Sequence, residues 1–239
     1  NFDGSASVDP DVTIDTYVLR LDDGAAFTAA SRRRIDTAGV RVFGTAAGRR
    51  VDFENEAVVQ WGEVGALDHR AWFEHAQLGY AWPTAPWAPH LIAVYDHASG
   101  DADPSDRRSG SFDTLFGRSR FELGPTSMFG LVSRSNVVSP GLWLIATPAR
   151  PLELSVQHRW NWLDQAKDRW RSTGLVDPTG RSGTELGTQT DVRLRYRWRP
   201  HLEVDAAAVY FHDGAFVRAR KPNITGRPVF FMLSTEWSF

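Results

Sequence analysis

Cysteine is absent from all 239 residues, which excludes a disulfide framework and any thiolate metal site. Also missing is an apolar run approaching the ~20 residues with which a helix crosses a bilayer. That absence rules out a helical membrane protein but is neutral towards membrane strands, which alternate apolar and polar residues. The chain lacks an excess of either charge: 27 Lys and Arg stand against 29 Asp and Glu, which argues against a nucleic-acid partner. No segment carries a sustained helical period, although Ala215 to Lys221 could make a turn or two. No linker or low-complexity tract marks a second domain, so residues 1–239 read as one domain. Asn1 opens inside what reads as a loop and without a signal peptide, as a mature segment or a fragment would.

Aromatic residues are plentiful, at 12% with 10 Trp, and they lie in segments of period two. The clearest is the last, where Val229, Phe231, Leu233, Thr235, Trp237 and Phe239 alternate with residues such as Ser234, Glu236 and Ser238. Period two predicts β-strand, and about ten strands follow. They run Val12–Leu21, Arg34–Ala46, Val51–Val64, His69–Trp82, His90–His97, Asn136–Thr147, Leu152–Leu163, Thr184–Trp198, Leu202–His212 and the closing segment from Val229. A strand of about ten residues at ~3.3 Å each, tilted ~45°, spans roughly 25 Å.

The connections sort by length. Those at 46–50, 83–89, 148–151 and 199–201 are short and rich in Pro or Gly, while those between them are long and polar, 65–68 excepted. Such parity is expected of outer-membrane barrels, with tight turns at one end and long loops at the other. Aromatics agree with it. Tyr80, Trp82, Trp198, Trp237 and Phe239 fall at one set of strand ends, and Trp61, Trp72, Tyr95, Trp160, Trp162 and Tyr210 at the other.

Strand polarity assigns the faces. Val192, Leu194, Tyr196 and Trp198 alternate with Asp191, Arg193, Arg195 and Arg197. An Arg at a lipid midplane costs about 2–4 kcal/mol, so the charged set is expected to face inward. The same reasoning turns Arg41, Asp52, Glu54, Glu56, Gln60, Glu153, Gln157, Arg159, Asn161, Glu203, Asp205 and Glu236 inward. Arg41, Arg159, Asp191, Arg193, Arg195, Arg197 and Glu236 are the expected channel lining. Glu74 breaks the pattern, sharing the parity of Trp72, Leu78 and Tyr80, which calls for a bulge or a place above the apolar band.

The longest connection carries Asp101, Asp103 and Asp106, hard oxygen donors that could hold Ca²⁺. They lack the glycine and glutamate spacing of an EF-hand, so a solvated acidic turn is the plainer reading. Phe112, Leu115 and Phe116 in the same connection are expected to fold back as a constriction. Catalysis finds little support. The seven His are scattered, His158 and Ser155 lie on opposite faces of one strand, and no phosphate-cradling glycine pattern occurs.

Several stretches together carry a family likeness. Ser99-Gly-Asp-Ala-Asp-Pro-Ser-Asp followed by Gly110-Ser-Phe-Asp-Thr-Leu-Phe116 resembles a signature of the alginate-export family of bacterial outer-membrane porins. Trp160-Asn-Trp-Leu-Asp-Gln-Ala-Lys-Asp-Arg-Trp170, Gly187-Thr-Gln-Thr-Asp-Val and the closing strand are similar too, with Asp22-Asp23-Gly24 and Pro86-Trp87 as weaker echoes. The resemblance implies a monomeric eighteen-stranded barrel passing an anionic polysaccharide through an arginine-lined pore. This chain would supply its C-terminal part, with the N-terminal strands missing.

The expectation is therefore all-β: an antiparallel transmembrane β-barrel of about ten visible strands, part of a larger one. It would sit in the outer membrane against lipid as a passive channel for polar or anionic solutes, or for polysaccharide such as alginate, with no required cofactor. The alternatives are a soluble β-sandwich that binds carbohydrate and a closed ten-stranded barrel acting as an adhesin or hydrolase.

Overall fold

The fold is taken from a computed structural model, which describes residues 11–23, 32–115, 123, 131–199, 201–221 and 229–237. The strands are β1 (Asp11–Asp22), β2 (Arg33–Ala46), β3 (Val51–Val64), β4 (Leu67–Ala81), β5 (His90–Ala98), β6 (Arg108–Ser109), β7 (Val137–Ala149), β8 (Leu152–Trp162), β9 (Glu185–Arg199), β10 (Leu202–Asp213) and β11 (Val229–Trp237). One short helix, α1 (Ala215–Arg220), follows β10. Each strand expected from period two is present, with ends moved by a residue or two. The two-residue β6 carries no period and was not foreseeable.

All the strands belong to one sheet in the order β1-β2-β3-β4-β5-β7-β8-β9-β10-β11, and β6 pairs with β4. Every neighbour along that path is antiparallel, so successive connections emerge at opposite ends, as the length parity requires. Register is continuous from β3 through β4 to β5: Glu74 sits opposite Ala57 and His97. No bulge displaces it. It stays on the apolar side and is partnered by His97 Nδ1 at 3.7 Å.

The sheet is open. Among the described residues β1 pairs only with β2 and β11 only with β10, which corrects the expectation of a closed transmembrane barrel. A strand edge in hydrocarbon leaves its N–H and C=O groups unsatisfied, at several kcal/mol each, and this sheet has two such edges. An unclosed wall also encloses no pore. The readings as a passive outer-membrane channel, as a monomeric barrel and as a partner of outer-membrane lipid are overturned with it. No described helix is long and apolar enough to cross a membrane.

The two faces differ in a way that period two alone prescribes. On one face polar residues are buried: Asp96 and Asp191 are 0% exposed and Arg159 4%. The other carries exposed apolar side chains, with Val18 at 75% and Phe231 at 74%. An apolar cluster covers the long-loop end of the polar face. There Phe73, Phe112, Leu163, Trp170, Leu186, Phe211 and Phe216 pack together, with Trp170 stacked on Phe211 at 5.9 Å. The α1 residues Phe216 and Val217 close it from one side, so the helix forms through burial and not through propensity.

Candidate functional site

Two features of the polar face could carry function: a ladder of charges along the strands, and a cleft where the long connections fold over it.

Register builds the ladder. Arg41 on β2 donates from Nε to Glu54 on β3 at 2.8 Å. Arg193 on β9 grips Asp205 on β10 through two nitrogens, Nε at 2.8 Å being one. Arg195 lies between Glu153 on β8 at 3.1 Å and Glu203 on β10 at 3.0 Å, and Arg197 meets Glu203 at 2.9 Å. Hydrogen bonding to Asp205 raises the Arg193 guanidinium above its ordinary range, and the hydrogen bond that Arg41 donates lowers the Glu54 carboxyl. The arginines expected to line a channel are thus spent on neighbouring carboxylates. Glu236 is exposed on β11, opposite Glu203 in register.

Two longer pairs of ionisable groups, Asp52 with His90 and Arg159 with Asp96, cross an intervening strand, each over a glycine. Asp52 on β3 reaches His90 on β5 at 2.6 Å across Gly79 of β4, where a Cβ would collide with both side chains. Arg159 on β8 reaches Asp96 on β5 at 2.8 Å across β7. There it also donates to Ser139 O at 3.1 Å, and a Cβ at Gly141 would stand 2.8 Å from Arg159 Cγ.

Asp96 is the hub. His75 Nδ1 lies 2.9 Å from its Oδ1, and Arg134 Nε approaches at 3.7 Å. Burial pushes its carboxyl up, but the His75 hydrogen bond and the charges of Arg159, His75 and Arg134 outweigh that and hold it below the usual range.

The cleft is formed by the connection after β5. Gln60 on β3 clasps Asp113 by its backbone, donating to the carbonyl at 2.8 Å and accepting from the amide at 2.9 Å. Arg33 binds Asp113 at 3.0 Å and Asp23 at 2.7 Å, and His69 lies 3.4 Å from both Gln60 and Ser109. From the connection after β8, Asp164 accepts from Gly100 N at 2.9 Å, and Asp168 from Asp101 N at 3.0 Å and Ser111 Oγ at 2.6 Å. The resulting cavity of about 690 Å³ is lined by Arg33, His69, Asp101, Asp113, Arg169 and Arg171 among others. Arg169 and Arg171 are exposed there, with no side-chain ion pair among the described residues.

Asp101, Asp103 and Asp106 do not converge. Each accepts from a backbone amide two residues on, at Asp103, Ser105 and Arg108, and no metal-holding group of His, Asp and Glu occurs among the described residues. Phe112 is buried against Phe73 with rings 5.4 Å apart. Leu115 lines a smaller cavity of about 180 Å³ beside Tyr17 and Arg134, and Phe116 lies outside the described residues. Sequence reasoning missed the clasp of Gln60, Asp164 and Asp168 and the arginines at 169 and 171. Three of these lie in the quoted Trp160–Trp170 stretch, whose likeness was the available signal.

Residues 5–230 match the family described as alginate export. No curated protein matches the chain.

Proposed function

The chain belongs to the alginate-export family, and from that premise we propose that it binds an acidic, uronate-type polysaccharide in its loop-side cleft, without turnover. One observation carries the reading. Arg169 and Arg171 face the cleft unengaged by any carboxylate among the described residues, while Arg41, Arg159, Arg193, Arg195 and Arg197 are committed to carboxylates. A guanidinium offers two parallel N–H donors that match a carboxylate, and a polyuronate presents one carboxylate per sugar. The open sheet agrees better with this alternative, a carbohydrate-binding module, than with a pore.

Exposed ion pairs are worth about 0.2–1 kcal/mol each, so two arginines supply roughly tenfold in affinity. Repetition along the polymer multiplies this through effective concentration. Calorimetric titration with oligouronates of defined length, against neutral dextran oligomers, tests the reading. Binding should favour the uronates, weaken with salt, and fall about tenfold in Arg169→Ser/Arg171→Ser. Equal binding of dextran, or an unchanged affinity in the double variant, refutes it.

A further inference from the structure

Away from the cleft, three polar atoms buried at adjoining positions of β8 and β9 have no hydrogen-bond partner among the described residues: Gln157 Oε1, Asp191 Oδ1 and Arg159 Nε. Gln157 stands opposite Asp191 in register, and Arg159 opposite Gln189. Gln189 Nε2 donates to the other Asp191 oxygen at 2.9 Å. Two acceptors therefore meet at one rung with no hydrogen between them, and an idle donor stands on the next. Leaving a buried polar atom unpaired is strongly unfavourable, whereas the nearest charged rung, Arg193 with Asp205, is paired. Asp191 is also a fully buried carboxylate with no ion pair among the described residues.

We propose that Asp191 is a proton-operated latch between β8 and β9: as the neutral acid it donates to Gln157 Oε1, and as the carboxylate it takes the free Nε–H of Arg159. The groups facing it leave few other partners. From β10 the opposing residue is Val209, flanked by Ala207 and Phe211, which bring no charge. On its own strand Arg193 is held by Asp205. On β8 Arg159 is the near cation and is bound through Nη1 to Asp96, while Glu153, farther along, is paired with Arg195. On β7 Trp143, opposite Gln157, has an indole N–H that is also unpartnered and carries no charge. Burial pushes the Asp191 carboxyl up to about 6, which the Gln189 hydrogen bond and the charge of Arg159 oppose only in part.

A carboxyl raised in the folded state binds its proton more tightly there than in the unfolded chain. Its contribution is complete below the ordinary carboxylate range and is lost as pH rises through about 6. Side-chain NMR of the full chain tests the latch, following the Asp191 carboxyl carbon and the Arg159 Nε resonance from about pH 4.5 to about pH 7.5. Both should move together with a midpoint near 6. In Asp191→Asn the Arg159 resonance should stay still, and the difference in urea midpoint between the two proteins should change across the same window. An Asp191 midpoint in the ordinary carboxylate range overturns the latch, because the Gln157 amide is then turned to donate to a permanent carboxylate. So does an Arg159 resonance indifferent to pH. Should Asp191→Asn not fold, the two wild-type titrations decide alone.

Discussion

Removing the Asp96 carboxylate should be among the most damaging single changes to the polar face, and its size can be worked out from the three cations it serves. Arg134 is 31% exposed at its side chain and can turn to water. His75 is charged only when protonated and can give up its proton. Arg159 can do neither, with a side chain 5% exposed and a guanidinium that stays charged at any accessible pH. Below about pH 6, where Asp191 is the neutral acid, Asp96→Ala thus leaves one uncompensated buried cation, which costs about 3–5 kcal/mol.

For a chain of this size that corresponds to a fall in Tm of about 6–20 °C. Asp96→Asn should lie between wild type and Asp96→Ala, since it keeps an acceptor for Arg159 but loses the charge. Asp96→Leu/Arg159→Met should recover most of the loss, because replacing both members of a buried pair is often neutral. Thermal and urea unfolding of the four proteins, in the medium where the purified chain is folded, gives the comparison. A loss under about 1 kcal/mol for Asp96→Ala, or a double variant as unstable as the single, would refute the assignment of Asp96 as hub.

Gly79→Ala should cost about 1–3 kcal/mol by forcing apart Asp52 and His90, and the cost should shrink in a His90→Ala background. An undiminished loss there would place the damage elsewhere. His69 is held below its ordinary range by burial, so as pH falls the unfolded chain takes up a proton first and stability is lost below about pH 6.5. His69→Gln should remove that loss, read as a smaller drop in urea midpoint between about pH 7.5 and about pH 5.5. An identical drop in both proteins would count against the buried neutral ring.

The candidate site divides by how far apart in the chain its parts lie. Arg193, Arg195 and Arg197 were assignable to one face from alternation with Val192, Leu194 and Tyr196. That they are spent on Glu153, Glu203 and Asp205 depends on register between strands, which a one-residue slip would change entirely. The clasp of Asp113 by Gln60, 53 residues apart, has no local signature at all. The glycines at 79 and 141 have no signature of their own in the chain, and only the fold brings the side chains of Asp52 and Arg159 over them.

Strand positions, the polar and apolar faces, and the sorting of short turns from long loops were all legible in the chain itself. Each follows from period two and turn chemistry, which act over neighbouring residues. Whether the sheet closes was not legible, because closure is a pairing between the first and last strands. Alternation is the same in an open sheet as in a barrel. Only the three-dimensional arrangement left β1 and β11 as edges, paired the wall charges with one another, and set Arg169 and Arg171 over the cleft without carboxylate partners.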